Sequence, residues 1–166
     1  DISSITFTAD SNAIIIGGDD ANTITTSGGN DYLDGHDDAD VLVGKAGNDT
    51  YYLDEVDHAN KMVETSGGGT DTVFMNVDTG DFSNQKYGAT ATDADVGSMA
   101  NFEQIVLGNS VNATLLATNL SGNTIKIATT HDAANTLTLA YATSTDAANV
   151  NFANITGANV TYTAST

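Results

Sequence analysis

Asn22, Asp31, Asp40 and Asp49 follow one another at intervals of nine residues, and each stands two positions ahead of a large apolar residue, Ile24, Leu33, Leu42 and Tyr51. An oxygen donor repeated at a fixed interval can build a row of sites for a hard cation. The surroundings are acidic as well: residues 17 to 58 hold 11 of the 22 acids, against four lysines and no arginine. A run of like charges is ordinarily a solvated tail. A tail keeps no period, however, and the regular apolar partner means that these acids are gathered in a folded object. Something positive has to lie between them.

The elements that position these donors follow from the same count. The four nonapeptides are GGDDANTIT, TSGGNDYLD, GHDDADVLV and GKAGNDTYY. Self-similarity at a short fixed period predicts a solenoid, whose units bury their apolar faces only against neighbouring units. Nine fits neither the coiled-coil heptad nor the 3.6-residue helix. Each unit reads as a glycine-rich turn of about six residues followed by a three-residue strand. Two units then make a coil of 18 residues, with turns alternating between two edges of a flattened roll. On one edge the turn ending at Asp31 is expected over the turn ending at Asp49; on the other, Asn22 lies over Asp40. Stacked about 4.8 Å apart, such acids repel by roughly 1 to 4 kcal/mol per pair.

Calcium suits this arrangement. It takes six to eight oxygens in irregular geometry, whereas magnesium demands a stricter octahedron and retains its waters. Zinc prefers His and Cys; there is no cysteine, and His36, His58 and His131 are scattered. The candidate ligands are the side chains of Asn22, Asp31, Asp40 and Asp49, with turn positions Asp20, Gly29, Asp38, Gly47, Ser27 and Lys45 beside them. The fourth position of each unit, Asp20, Gly29, Asp38 and Gly47, is expected to take a left-handed backbone, which glycine adopts freely and aspartate tolerates. Asn22 lacks a charge, so its site is expected to bind more weakly. The starts TS and GHDD depart from paired glycines and are expected to distort their turns.

Residues 17 to 52 resemble four copies of the G-G-x-G-x-D-x-U-x repeat of the RTX (repeats-in-toxin) calcium-binding β-roll family, with Asp31, Asp40 and Asp49 on the aspartate position. GNDTYYLDEVDHANKMVETSGGGTDTV is similar to the segment that closes many such arrays, ending in a half-site with Asp71. NFEQIVLGN, residues 101 to 109, is similar to a strand that follows in such proteins. Between Tyr51 and Asp71 the step exceeds one coil, which implies a bulge with Asp54, Asp57 and Asn60 as candidate ligands on the opposite edge. The resemblance implies a right-handed parallel roll, exported unfolded through a type I channel. Such a roll would be disordered without calcium and would fold at the extracellular ion level, where modules bind with Kd of about 10⁻⁴ to 10⁻³ M.

The fold class expected is all-β: N-terminal capping strands paired over residues 1–16, the roll over 17–75, a loop over 76–99 and a strand-rich part over 100–166. That last part, with ATLLATNL, NTIKIATT, NTLTLAYA, NVNFANIT and NVTYTAS, either extends the solenoid or forms a sandwich. The 25 threonines of the whole chain favour strands over helices. A net charge of -18 makes nucleic acid and anionic membrane surfaces poor partners. No apolar stretch of about 18 residues predicts a membrane span, and DISSITF reads as a mature start or a cut fragment. The chain has neither H-E-x-x-H nor G-x-S-x-G, so no enzyme is expected. His58 beside Asp57 reads as a surface pair and Glu103 as a strand-edge carboxylate. Three functions stand. The first is a calcium-binding module of a secreted or cell-surface bacterial protein, self-associating in surface-layer-type assembly or anchoring. The second is the folding and secretion domain of an exported enzyme. The third is an adhesin or glycan-binding module.

Overall fold

The computed structural model describes residues 3–8, 10–53, 60–65, 67–76, 81–87, 96–108, 110–116, 126–130, 135–140 and 160–165. Its elements are all strands: β1 (Ser4–Thr6), β2 (Ile14–Ile16), β3 (Thr23–Thr25), β4 (Tyr32–Asp34), β5 (Val41–Lys45), β6 (Thr50–Leu53), β7 (Lys61–Glu64) and β8 (Thr72–Met75) form the first coils. After them come β9 (Asp81–Tyr87), β10 (Val96–Ala100), β11 (Gln104–Leu107), β12 (Asn112–Leu116), β13 (Lys126–Thr129), β14 (Asn135–Ala140) and β15 (Val160–Ser165). They make two parallel sheets. One holds nine strands in the order β1-β3-β5-β7-β10-β9-β12-β14-β15, the other six in the order β13-β11-β8-β6-β4-β2.

Odd and even strands thus go to opposite sheets through β8, and one circuit returns the chain above its own start after 18 residues: Ile24 pairs with Leu42, and Leu33 with Tyr51. The strands are short because each unit has only one apolar position between turn residues. That residue points inward, and its neighbours face out. The inward side chains stack in file, Ile5, Ile24, Leu42 and Met62 on one sheet, and Ile15, Leu33, Tyr51, Val73, Ile105 and Ile127 on the other. On the six-stranded sheet the strands lengthen from β6 onward, adding a second inward row of Leu53, Met75 and Leu107, all fully buried. Phe102 closes this core edge-on against Tyr51, with ring centroids 5.0 Å apart.

Two kinds of turn result. Turns 26–31 and 46–49, and the described residues 67–71, carry the chain from the nine-stranded to the six-stranded sheet along a first edge. Turns 17–22 and 35–40 return it along a second edge.

Two expectations change, and one left open between two alternatives is decided. The strands within residues 1–16 do not pair with each other; β1 joins β3 and β2 joins β4, so each begins one sheet of the roll. The stretch 76–99, expected as a loop, carries β9 and most of β10, laid parallel to each other in reverse order between β7 and β12. The C-terminal part extends the same two sheets rather than forming a separate sandwich, through β11 and β13 on one and β12, β14 and β15 on the other. NVNFANIT, residues 149–156, lies outside the described residues. No helix among the described residues is long and apolar enough to cross a membrane.

Candidate metal centre

Each repeated donor is fixed by the coil before it. On the first edge, the backbone N–H of Ala13 donates to Asp31 Oδ1 at 2.8 Å, that of Asp31 to Asp49 Oδ1 at 2.8 Å, and that of Asp49 to Asp71 Oδ1 at 2.9 Å. Glu103 continues the file, accepting from Asp71 N–H at 2.9 Å through Oε2. On the second edge, Asn22 N–H donates to Asp40 Oδ1 at 2.8 Å and Asp40 N–H to Asn60 Oδ1 at 2.7 Å. A carboxylate oxygen therefore satisfies the last amide of the turn beneath it, which is why the aspartate recurs at the same turn position. Asp31, Asp40, Asp49, Asn60 and Asp71 are all buried.

The other oxygen of these groups is the informative one. Asp31 Oδ2, Asp40 Oδ2 and Asp49 Oδ2 are buried and accept no hydrogen bond. An unpaired buried polar atom costs about 1–3 kcal/mol, and more when charged. Burial accordingly pushes the Asp40 carboxyl up to about 6, with the neighbouring Asp38 and Asp34 charges adding to it. Asp49 is also raised to about 6, first by burial and then by Asp31 and Asp71. Asp71 is raised chiefly by burial. The oxygens face the mouth of their own turn: a Cβ on Gly35 would strike Asp40 Oδ2, and one on Gly44 would strike Asp49 Oδ2. These are hard oxygens in a glycine-kept cradle, which suits calcium and offers zinc no nitrogen or sulfur. Asp31 and Asp49 on the first edge and Asp40 on the second would hold ions through Oδ2, whose charge would offset their burial.

The turn positions divide. Gly29 (φ +125°), Gly47 (φ +123°) and Asp38 (φ 73°) are left-handed as expected. Gly47 has a second constraint, since a Cβ there would fall on the Gly29 carbonyl. Asp20 is not left-handed. Its turn closes differently, with Gly18 N–H donating to Asn22 Oδ1 at 2.7 Å within the same unit. His36 (φ 68°) and Lys45 (φ 75°), at the second position, are left-handed instead. Lys45 is exposed, and the Ser27 carbonyl accepts from Ala46 N–H at 3.2 Å. The TS start is absorbed without opening the turn, because Thr26 buries its hydroxyl and donates to the Gly44 carbonyl at 2.8 Å. Asp54 and Asp57 lie outside the described residues.

Glu64 was not legible as a site residue. It lies buried at the end of β7, with carboxylate oxygens within 4.8 Å of those of Asp49 and Asp71. Tyr51 donates a hydrogen bond to Glu64 Oε1, and burial pushes the Glu64 carboxyl up to about 7. Strand alternation held the signal: Met62 points inward, so Glu64 must too. The asparagines before the first-edge aspartates were also missed. Asn12 Oδ1 accepts from Asn30 N–H at 2.9 Å, Asn30 Oδ1 from Asn48 N–H at 2.8 Å, and Asn48 Oδ1 from Thr70 N–H at 2.8 Å. Asp19, His36 and Asp37 cluster at the surface of the second edge.

The family model of the RTX calcium-binding nonapeptide repeat matches residues 16–51, in four copies. The match spans β3 to β5 and all three aspartates whose outer oxygen is unpartnered. No curated protein and no solved structure matches the chain.

Proposed function

From residues 16–51 as four RTX calcium-binding repeats, we propose that this chain is a module of a secreted or cell-surface bacterial protein that folds on extracellular calcium. The observation that carries this reading is the row of buried, unpartnered oxygens on Asp31, Asp40 and Asp49. A roll with one apolar residue per nine has little core to offset the entropy of ordering its chain. Ion binding then supplies folding free energy, and the chain stays threadable wherever calcium is scarce. The role is architectural rather than catalytic, and it extends to surface-layer-type assembly or anchoring. Support for assembly comes from the first coil. Among the described residues β1 and β2 are the outermost strands of their sheets, and an outermost strand is a template for another chain. Ile14 and Ile16 beside that edge are 79% and 56% exposed.

Circular dichroism and sedimentation, recorded as calcium is titrated from zero, test both parts. The expected result is a disordered monomer in chelator, strand formation near millimolar calcium, and larger species at saturation. A chain already compact in chelator would overturn calcium-driven folding, and a strict monomer at high calcium would overturn assembly.

A further inference from the structure

We propose that Asp49, Glu64 and Asp71 together hold one calcium ion at the junction where the matched repeats end and the β7–β8 coil begins. The inference rests on the calcium-binding reading of the array, and two of these three residues lie outside the repeat match. All three carboxylates are buried, at 1%, 3% and 1% exposure, and their oxygens lie within 4.8 Å of one another. Asp49 Oδ2 has no hydrogen-bond partner. It is aimed into the cluster: a Cβ built on Gly44 would run into Asp49 Oδ2, Glu64 Oε1 and the Tyr51 hydroxyl alike. Groups from β6, β7 and the turn before β6 thus converge on a single cradle that only glycine leaves open.

The carboxylates are also held in place, each by a donor that leaves oxygen facing the cradle. Asp49 Oδ1 accepts from Asp31 N–H and Asp71 Oδ1 from Asp49 N–H. Glu64 Oε2 accepts from Thr65 N–H at 3.2 Å. Tyr51 fixes the remaining direction, donating to Glu64 Oε1 while its oxygen accepts from Gly44 N–H. A bulge between Val43 and Lys45 sets Glu64 opposite Lys45 in the register of the neighbouring strand. Lys45 and Lys61 are exposed. Three buried carboxylates gathered on one cradle call for a hard cation of high charge.

Terbium(III) replaces calcium at oxygen sites and emits when a nearby tyrosine absorbs, so Tyr51 is a built-in reporter. The test is a terbium titration of the full chain with tyrosine excitation, alongside equilibrium dialysis with calcium. The Tyr51→Phe variant is expected to lose most of the sensitised emission, and Glu64→Gln to bind one calcium fewer at saturation. Emission retained in Tyr51→Phe would overturn the site, as would an undiminished calcium count in a folded Glu64→Gln. Should Glu64→Gln not fold, the emission of Tyr51→Phe decides alone. Wild-type chain that bound no calcium would instead overturn the reading of the whole array.

Discussion

Along the first edge the turns are joined to one another by uncharged groups: Gly29 N–H donates to the Ala46 carbonyl at 3.0 Å, Ala46 N–H to that of Ser27 at 3.2 Å, and Gly47 N–H to that of Gly68 at 2.9 Å. The file of Asn12, Asn30 and Asn48 adds a second seam. Along the second edge, alanines 21 and 39 stand where those asparagines would be, and no backbone hydrogen bond joins residues 18–21 to 36–39 among the described residues. That edge instead carries Asp19, Asp20, Asp37 and Asp38, with His36 Nδ1 at 3.4 and 3.2 Å from Asp19 and Asp37. The same nine-residue unit has produced one edge whose turns are knitted by their own backbone and one whose turns are joined through the file of Asn22, Asp40 and Asn60. On the proposed reading, dependence on calcium is expected to be graded across the roll.

Removing calcium should have the largest effect and should expose that gradient. Full chelation is expected to unfold the roll. At calcium just below saturation, hydrogen exchange should find the amides of Asn22 and Asp40 unprotected before those of Asp31 and Asn48. Simultaneous loss on both edges would erase the distinction.

A single carboxylate comes next. Asp40→Ala strands the buried amide of Asn22 on an edge that lacks the backbone seam between its turns, costing about 2–3 kcal/mol. Asp31→Ala strands the amide of Ala13, which is only partly buried, on an edge that keeps its backbone seam. It should cost about half as much. Urea unfolding in saturating calcium measures both, and equal losses would argue against the gradient.

Acid should separate the edges in a different order. The folded-state values of Asp40, Asp49 and Glu64 lie above their ordinary ones, at about 6, 6 and 7. Without calcium, their contribution to stability is therefore fully present below the ordinary carboxylate range and lost as pH rises through about 6 to 7. The calcium-free chain should be most compact near pH 4. Calcium needs the ionised forms, so the midpoint of the calcium titration should rise as pH falls, by about tenfold for each 1.4 kcal/mol of proton competition. The first edge, which contains Glu64, should respond near pH 7 and the second near pH 6. A midpoint flat from pH 8 to 5 would contradict the assignment.

Much of this was readable from spacing alone. The coil, the two edges and the stacking of Asp31 over Asp49 follow from the period, because a parallel solenoid converts sequence distance directly into height. The pairing of Asp40 N–H with Asn60 also survives the irregular step between coils. What escaped depends on contacts that no period encodes. β9 and β10 are defined by which neighbour each meets, and the chain lays them in reverse order, so DFSNQKY shows no usable alternation of its own. Glu64 is an acid on an inward position, hidden by its place outside the repeat. The Asp20 expectation failed because Asn22 turns its oxygen to Gly18 in its own unit.

The smallest effect concerns the left-handed fourth position, where the edges differ by one residue type. Gly47 cannot be exchanged: its φ of +123° and the Gly29 carbonyl beneath it exclude any side chain. Asp38 occupies the equivalent place at φ 73°, at a cost of about 1 kcal/mol relative to glycine. It also adds a charge beside Asp40 that raises that carboxyl further. Asp38→Gly should therefore stabilise the calcium-loaded roll by up to about 1 kcal/mol and lower the calcium needed for folding. If Asp38 were itself a ligand through its side chain, the same change would raise the calcium midpoint, so the direction of the shift decides whether its backbone or its carboxylate serves the second edge.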